Sequence, residues 1–213
     1  MFSLLKPGDF FSLLNLSFGF FSMIFAVNGE MRFALIFILL SALSDGADGL
    51  LARRFGEGRL GEDLDSLADL TSFSLSPSLL VYLSTKSLYT LPFLTIYIIC
   101  SAVRLSSFHI FKRKRWFVGL PAPAAGIILA SLCMVFKNYI IIDVLLVILS
   151  ILMVSKVSYP KVDRFLGVTS FVLIVSCIVL EEFLGLLMVK IFLVFTLFYL
   201  SLGPLYVKLS KIS

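Results

Sequence analysis

Long apolar runs separated by short polar breaks extend along almost the whole chain. They predict eight membrane-crossing segments, at residues 10–27, 33–53, 65–84, 89–109, 121–136, 139–155, 165–180 and 184–204. The runs are uniformly apolar over lengths that suit helices, whereas the strands of a membrane barrel would alternate polar and apolar positions. The pattern therefore predicts an all-α integral membrane protein, a helical bundle of about eight transmembrane helices.

Composition supports a membrane protein and excludes a water-soluble enzyme. Of the 213 residues, 60% are hydrophobic and 15% are charged, and the mean hydropathy is +1.07. Ordinary soluble domains contain about 45–50% apolar and about 25% charged residues. The three cysteines lie singly inside apolar runs, without the spacing of a zinc or redox site, so we expect them to be core residues.

The distribution of lysine and arginine predicts the orientation in the membrane. With the N-terminus in the cytoplasm, 14 of the 18 basic residues lie in or beside cytoplasmic segments, and only Arg32, Lys86 and Lys137 lie in the opposite loops. This bias follows the positive-inside rule. It predicts a multi-pass protein of the cell membrane with both termini cytoplasmic, and it explains the net charge of +5 without a nucleic-acid partner. The basic residues 112–115 suit anionic lipid headgroups.

Seven of the 13 acidic residues fall within residues 45–69, around the break between the second and third predicted segments. Asp45 and Asp48 are three positions apart, and Asp65 and Asp69 are four apart, so each pair lies on one face of its helix. Four carboxylates in one place would repel each other unless cations neutralise them, and an all-oxygen donor set suits Mg²⁺ or Mn²⁺. The spacing therefore predicts a site for one or two divalent metals at the cytoplasmic side.

The same two helix faces carry small residues and an arginine. Gly49, Ala52 and Gly61 leave space for a ligand to approach the backbone. Arg53 offers a forked donor to phosphate. Metal ligands, open space and arginine together indicate a phosphoanhydride site. The alternative is that the small residues only pack helices and that the acids form a solvated loop.

The pattern D-x2-D-G-x2-A-R, followed by G-x3-D-x3-D, resembles the signature of the CDP-alcohol phosphotransferases, integral membrane enzymes of phospholipid synthesis. Eight fixed positions fall within 25 residues, with seven residues between Arg53 and Gly61 where the family usually has eight. The resemblance implies that Asp69 is the general base. It also implies two metal sites, one formed by Asp45, Asp48 and Asp65 and the other by Asp45, Asp65 and Asp69.

The resemblance further implies how a CDP-activated lipid is bound. Gly49 and Arg53 would contact the cytidine diphosphate, and Ala52 and Gly61 would give it room. Asn15, at the start of the first segment, can also reach the nucleotide. A homodimer is implied by the resemblance alone.

Three further runs resemble the membrane-bound phosphatidylserine synthases within that family, and together they cover most of residues 45–126. They are Asp65 to Phe73 with Pro77, Arg104 to Phe108, and Gly119 to Gly126. L-serine is the acceptor that this likeness implies. Arg104 is a cation suited to the serine carboxylate, and Ser72 and Ser106 are candidates for lining the pocket. Snorkelling of the arginine and hydrogen bonding of the serines between helices are the alternative roles.

The likeness divides the chain into a catalytic core of six helices, residues 1–164, and two additional C-terminal transmembrane helices, residues 165–213. Within the family, glycerol 3-phosphate or an inositol compound is the alternative acceptor, and the lipid backbone is either diacylglycerol or archaeol. From another class, a divalent-metal transporter would also place carboxylates inside a helical bundle. The clustering of the acids at one end of two successive segments, instead of near the midplane across two repeats, disfavours transport.

Overall fold

A computed structural model describes residues 6, 8–55, 60–111, 116–160 and 164–210. Within these ranges, the side chains at 50–55, 108–111, 164–166, 181–183 and 210 lie outside the description. The basic residues 112–115, which the sequence assigns to lipid headgroups, also lie outside the described residues.

Helices account for nearly all of the described chain. They are α1 (Asp9–Val27), α2 (Met31–Phe55), α3 (Gly61–Leu70), α4 (Ser76–Thr85), α5 (Leu91–Phe111), α6 (Ala122–Val135), α7 (Tyr139–Val154), α8 (Arg164–Leu184) and α9 (Leu186–Ser210). The predicted all-α fold is confirmed, and each predicted segment coincides with a helical segment to within a few residues. By length and composition, three stretches of the described residues can each cross a membrane, namely Asp9–Val27, Leu88–Ser107 and Leu186–Leu209.

The predicted third segment is one continuous helix whose hydrogen-bond pattern changes from α to π and back to α. Residues Thr71–Leu75 form a π-helical turn between α3 and α4, in which the N–H of Ser76 bonds to the carbonyl of Thr71. Pro77 has no N–H to offer the carbonyl of Phe73 four positions earlier. The fully buried Tyr97 hydroxyl of α5 donates to that carbonyl instead, at 2.9 Å. The π-helical turn therefore begins two residues after Asp69, and the Phe73 carbonyl that Pro77 cannot bond accepts a hydrogen bond from a neighbouring helix.

Two glycines allow neighbouring helices to approach this π-helical turn closely. A Cβ atom on Gly19 of α1 would lie 2.9 Å from the Cα of Ser72. A Cβ atom on Gly126 of α6 would lie 2.8 Å from the Cα of Phe73. Any larger residue at either position would collide with backbone atoms, so the glycines set how tightly α1 and α6 hold the turn.

A short strand pair, absent from the sequence prediction, joins the segment before α6 to the segment after α7. Strand β1 (Phe117–Val118) pairs antiparallel with β2 (Ser158–Tyr159). Gly119 follows β1 with a φ of +79°, and its N–H donates to the carbonyl of Val157 at 2.7 Å. Strands of two residues carry no periodic signal, so hydrophobic patterning cannot reveal them.

Candidate active site

Helices α2 and α3 bring the predicted carboxylates together. Asp45 on α2 and Asp65 and Asp69 on α3 each place a carboxylate oxygen within 4.8 Å of the other two. Asp69 is only 6% exposed, and Asp45 and Asp65 are half-buried. The pairing of two helical faces that was predicted from residue spacing is therefore present in the fold.

Asp48, the fourth predicted metal ligand, lies one turn further along α2 and is held from α1. The Ser12 hydroxyl donates a hydrogen bond to Asp48 Oδ2. Asp48 lies outside the close group of three described carboxylates. A metal shared between Asp45, Asp48 and Asp65 would thus be bound in part by a side chain that Ser12 already orients.

Asn15, a candidate contact for the nucleotide, lies beside the carboxylate cluster. Its side-chain amide donates to Asp69 Oδ1 at 3.0 Å, and the residue is fully buried. Its backbone carbonyl accepts hydrogen bonds from the hydroxyls of Ser41 at 3.2 Å and Ser72 at 2.8 Å. Asn15 therefore contacts the proposed base directly and joins α1 to both α2 and the π-helical turn.

Two serines expected to line the acceptor pocket have other positions. Ser72 is fully buried and donates its hydroxyl to Asn15, so it joins helices instead of facing an open pocket. Ser106 is exposed, whereas Arg104 is buried at 5% exposure. Positions two apart on a helix point about 200° from each other, so one pocket does not receive both Arg104 and Ser106. The expectation of a pocket shared by these three residues is corrected accordingly.

The small residues of the signature have unequal surroundings. An added Cβ on Gly49 would meet no atom within 4 Å, as expected for a position that faces a substrate. At Gly61 the space is already taken, because a Cβ there would lie 2.8 Å from Asp9 Oδ1. Ala52 and Arg53 belong to the last turns of α2, and their side chains lie outside the described residues.

Two residues near the carboxylates, Ser12 and Asp9, were not predicted from the sequence. Ser12 stands three positions before Asn15 on α1, and this helical spacing is the signal that would have indicated a shared face toward the carboxylates. Asp9 is 3% exposed and accepts a hydrogen bond from the Lys6 N–H at 2.9 Å. Its approach to Gly61 depends on helix packing, so no local pattern indicates it.

Comparison with known proteins matches residues 7–158 to the family described as CDP-alcohol phosphatidyltransferase. A protein of Methanocaldococcus jannaschii named CDP-diacylglycerol–serine O-phosphatidyltransferase is 34% identical over 165 residues, covering 76% of this chain and 78% of that protein. The archaetidylserine synthase of Methanothermobacter thermautotrophicus is 32% identical, with 73% and 70% covered. A serine O-phosphatidyltransferase of Bacillus subtilis is 40% identical, with 62% and 76% covered. A carboxylate cluster on two successive helices, inside a match of this length, places the chain in the CDP-alcohol phosphatidyltransferase family.

Proposed function

We propose that this chain transfers the phosphatidyl-type group of a CDP-activated lipid to the hydroxyl of L-serine and releases CMP. The observation that carries the proposal is the meeting of Asp45, Asp65 and Asp69 within 4.8 Å. Serine as the acceptor is supported by the relatives, which are named for serine transfer or archaetidylserine synthesis. Their names include both diacylglycerol and archaetidyl lipids, so either backbone is a candidate substrate.

The donor set fits a divalent cation. Carboxylate oxygens are the hard ligands that Mg²⁺ and Mn²⁺ prefer, and buried carboxylates this close together need a cation to offset their repulsion. Asp45, Asp65 and Asp69 would hold one ion, and Asp48 would join Asp45 and Asp65 at a second. When bound, such ions would polarise the transferring phosphate and neutralise the charge that develops on the phosphate of the departing CMP.

Asp69 is the residue proposed to move the proton. The serine hydroxyl oxygen forms a bond to the lipid-linked phosphorus, the bond from that phosphorus to the bridging oxygen breaks, and CMP leaves with the electron pair. The proton of the serine hydroxyl passes to a carboxylate oxygen of Asp69. The Asn15 amide donates to Asp69 Oδ1, so Oδ2 is the oxygen left to face the hydroxyl.

Arg104 is proposed to bind the carboxylate of the incoming serine. Its guanidinium is buried inside the bundle on α5, which packs against α3. A planar guanidinium pairs with a carboxylate through two parallel hydrogen bonds, and the pairing is strong where water is excluded. Glycerol 3-phosphate also carries an anion whereas inositol is uncharged, so comparing these acceptors with serine tests the role of Arg104.

The proposal also covers the orientation of the chain in the membrane, its division into two parts and its oligomeric state. The lysine and arginine bias supports a multi-pass orientation with the site at the cytoplasmic face and both termini in the cytoplasm. Residues 1–164 would form the catalytic core and residues 165–213 an additional hairpin, a division supported by the end of the family match at residue 158. Two copies of the chain would form a homodimer.

The test is CMP release by detergent-purified protein. CDP-diacylglycerol and CDP-archaeol are each supplied with Mg²⁺ or Mn²⁺, and serine, glycerol 3-phosphate, inositol and inositol phosphate are compared as acceptors. We expect release that depends on serine. Release with another acceptor alone would remove serine and keep the family chemistry, whereas metal binding without any release would favour the transport alternative.

A further inference from the structure

The side-chain amide of Asn15 on α1 has one atom that the hydrogen bonds of the described residues do not account for. The residue is fully buried, and its N–H donates to Asp69 Oδ1 at 3.0 Å. Its carbonyl oxygen, Oδ1, is buried as well, yet it accepts a hydrogen bond from no described residue. Turning the amide over would point Oδ1 at a carboxylate that has no hydrogen to donate when ionised. A buried carbonyl oxygen without a partner costs free energy, so this atom calls for a ligand.

Asn15 is held at a fixed place along the carboxylates. Its backbone carbonyl accepts hydrogen bonds from the hydroxyls of Ser41 on α2 and Ser72 in the π-helical turn. Three positions earlier on the same helix, Ser12 donates to Asp48. One face of α1 therefore contacts carboxylates on both α2 and α3, and Asn15 is anchored to both sides of the cluster.

The unpartnered oxygen lies close to the group formed by Asp45, Asp65 and Asp69. The oxygen and nitrogen of a planar amide are about 2.3 Å apart, so Asn15 Oδ1 is within about 5.3 Å of Asp69 Oδ1, given the hydrogen bond of 3.0 Å. The three carboxylates themselves meet within 4.8 Å. Asn15 Oδ1 is therefore at the edge of the carboxylate cluster, at a separation comparable with that between the carboxylates.

We propose that Asn15 Oδ1 is a fourth protein ligand of the divalent ion that Asp45, Asp65 and Asp69 would hold. The inference rests on the metal site of the proposed function, and it makes α1 part of that site. Carbonyl oxygens, like carboxylates, suit Mg²⁺ and Mn²⁺. These ions prefer six oxygen ligands, more than three carboxylates supply if each binds through one oxygen. A neutral amide adds a ligand without adding a fourth negative charge to a buried cluster.

The first test is Mn²⁺ binding by the full chain in detergent, measured without any substrate. Asn15→Leu keeps the approximate volume of the side chain and removes its oxygen, so we expect Mn²⁺ affinity to fall at least about tenfold. Asn28→Leu is the matched control, because Asn28 is exposed at the end of α1, and it should bind Mn²⁺ like wild type. Unchanged Mn²⁺ affinity in folded Asn15→Leu would overturn the inference.

The second test separates a metal ligand from a residue that only orients Asp69, because loss of such an outer partner also weakens metal binding about 10-fold to 100-fold. Asn15→Cys replaces a hard oxygen with a soft sulfur, which favours Cd²⁺ over Mn²⁺. We expect the ratio of Cd²⁺ to Mn²⁺ affinity to rise at least about tenfold above that of wild type. Ser17→Cys is the control on the same helix, since Ser17 is exposed, and it should leave the ratio unchanged.

The outcomes distinguish this inference from the proposed function. An equal ratio in Asn15→Cys and Ser17→Cys would overturn the inference and leave Asn15 as a residue that orients Asp69. A wild-type protein that binds no Mn²⁺ would overturn the proposed metal site, and the inference with it. CMP release with an acceptor other than serine would change the proposed substrate and support the metal ligand as before, provided that the two binding tests give the expected results.

Discussion

The first three helices and the C-terminal pair are held in place by different kinds of contact. In α1–α3 and the π-helical turn, buried polar side chains donate hydrogen bonds across helices, among them Ser12, Asn15, Ser22, Ser41, Ser44 and Ser72. The buried side chains described in α8 and α9 are instead apolar or cysteine, namely Ile174, Cys177, Val189, Phe192, Leu193 and Val207. Lipid gives no hydrophobic drive to helix association. The first region therefore relies on several directional bonds, whereas the C-terminal pair relies mainly on shape, with the Cys177 thiol donating to the Met188 carbonyl at 3.4 Å.

This difference predicts which substitutions change turnover and which change stability. Hydrogen bonds fix side-chain orientation, which a reaction centre needs, whereas apolar packing tolerates small shifts. Substitutions in α1–α3 should therefore change turnover, and substitutions in the hairpin should change stability with little effect on turnover.

The largest effect should come from Asp69→Asn. The substitution keeps the size of the side chain and removes a proton acceptor and a metal ligand, so we expect kcat to fall by at least about 10³-fold. CMP release with saturating serine measures it. Asp63→Asn is the matched control, because Asp63 is an exposed acid on the same helix. Equal losses in the two variants would contradict the assignment of Asp69.

A smaller loss is expected from Asn15→Ala. It removes the amide that donates to Asp69 Oδ1 at 3.0 Å, and hydrogen bonds to charged groups correspond to roughly 10-fold to 100-fold in rate. The assay is kcat at saturating concentrations of both substrates. Ser17→Ala serves as the control, since Ser17 is exposed on α1 and bonds only within its own helix. Normal kcat in Asn15→Ala would mean that Asp69 needs no orientation from α1.

Gly126→Ala should lower stability before it lowers turnover per folded molecule. The added methyl group would press on the backbone of the π-helical turn, at 2.8 Å from the Cα of Phe73, and overpacking of this kind costs about 1–3 kcal/mol. Thermal unfolding in detergent measures the loss. Gly46→Ala should be neutral or slightly stabilising in the same experiment, because its Cβ would meet nothing within 4 Å. An unchanged melting temperature in Gly126→Ala would refute the tight approach of α6.

The smallest effect is expected from Ile174→Val in α8. It deletes one buried methylene group in α8, at a cost of about 1 kcal/mol. Thermal unfolding should register the change while kcat stays within about twofold of wild type. A marked loss of turnover in Ile174→Val would show that packing within the hairpin affects the reaction centre. It would weaken the contrast between the two regions.

The helices and the carboxylate cluster were predictable from the sequence, because both depend on local patterns. Each apolar run is long enough to define one helix, so α2 was expected at 33–53 and is found at Met31–Phe55. The spacing of the four aspartates predicts helical faces without knowledge of any other contact. Three of the four carboxylates meet as expected.

What could not be predicted depends on how distant helices approach each other. The π-helical turn requires the Tyr97 hydroxyl from a later helix, and the position of Asn15 on Asp69 joins residues 54 positions apart. Ser72 carries the same sequence signal whether its hydroxyl faces a pocket or a neighbouring helix. Tyr199 lies in an apolar run with no polar pattern, so its hydrogen bond to the carbonyl of Pro160 appears only once α9 is packed on the core.

Metal removal tests the central claim most directly. Purified protein would be treated with a chelator and supplied with CDP-activated lipid and isotopically labelled serine, before and after Mn²⁺ or Mg²⁺ is restored. Transfer of label into lipid should disappear without metal and return with it, and Asp65→Asn should weaken Mn²⁺ binding measured without any substrate. Full transfer by the metal-free protein would contradict the account, because the cluster of Asp45, Asp65 and Asp69 would then have no ion to hold.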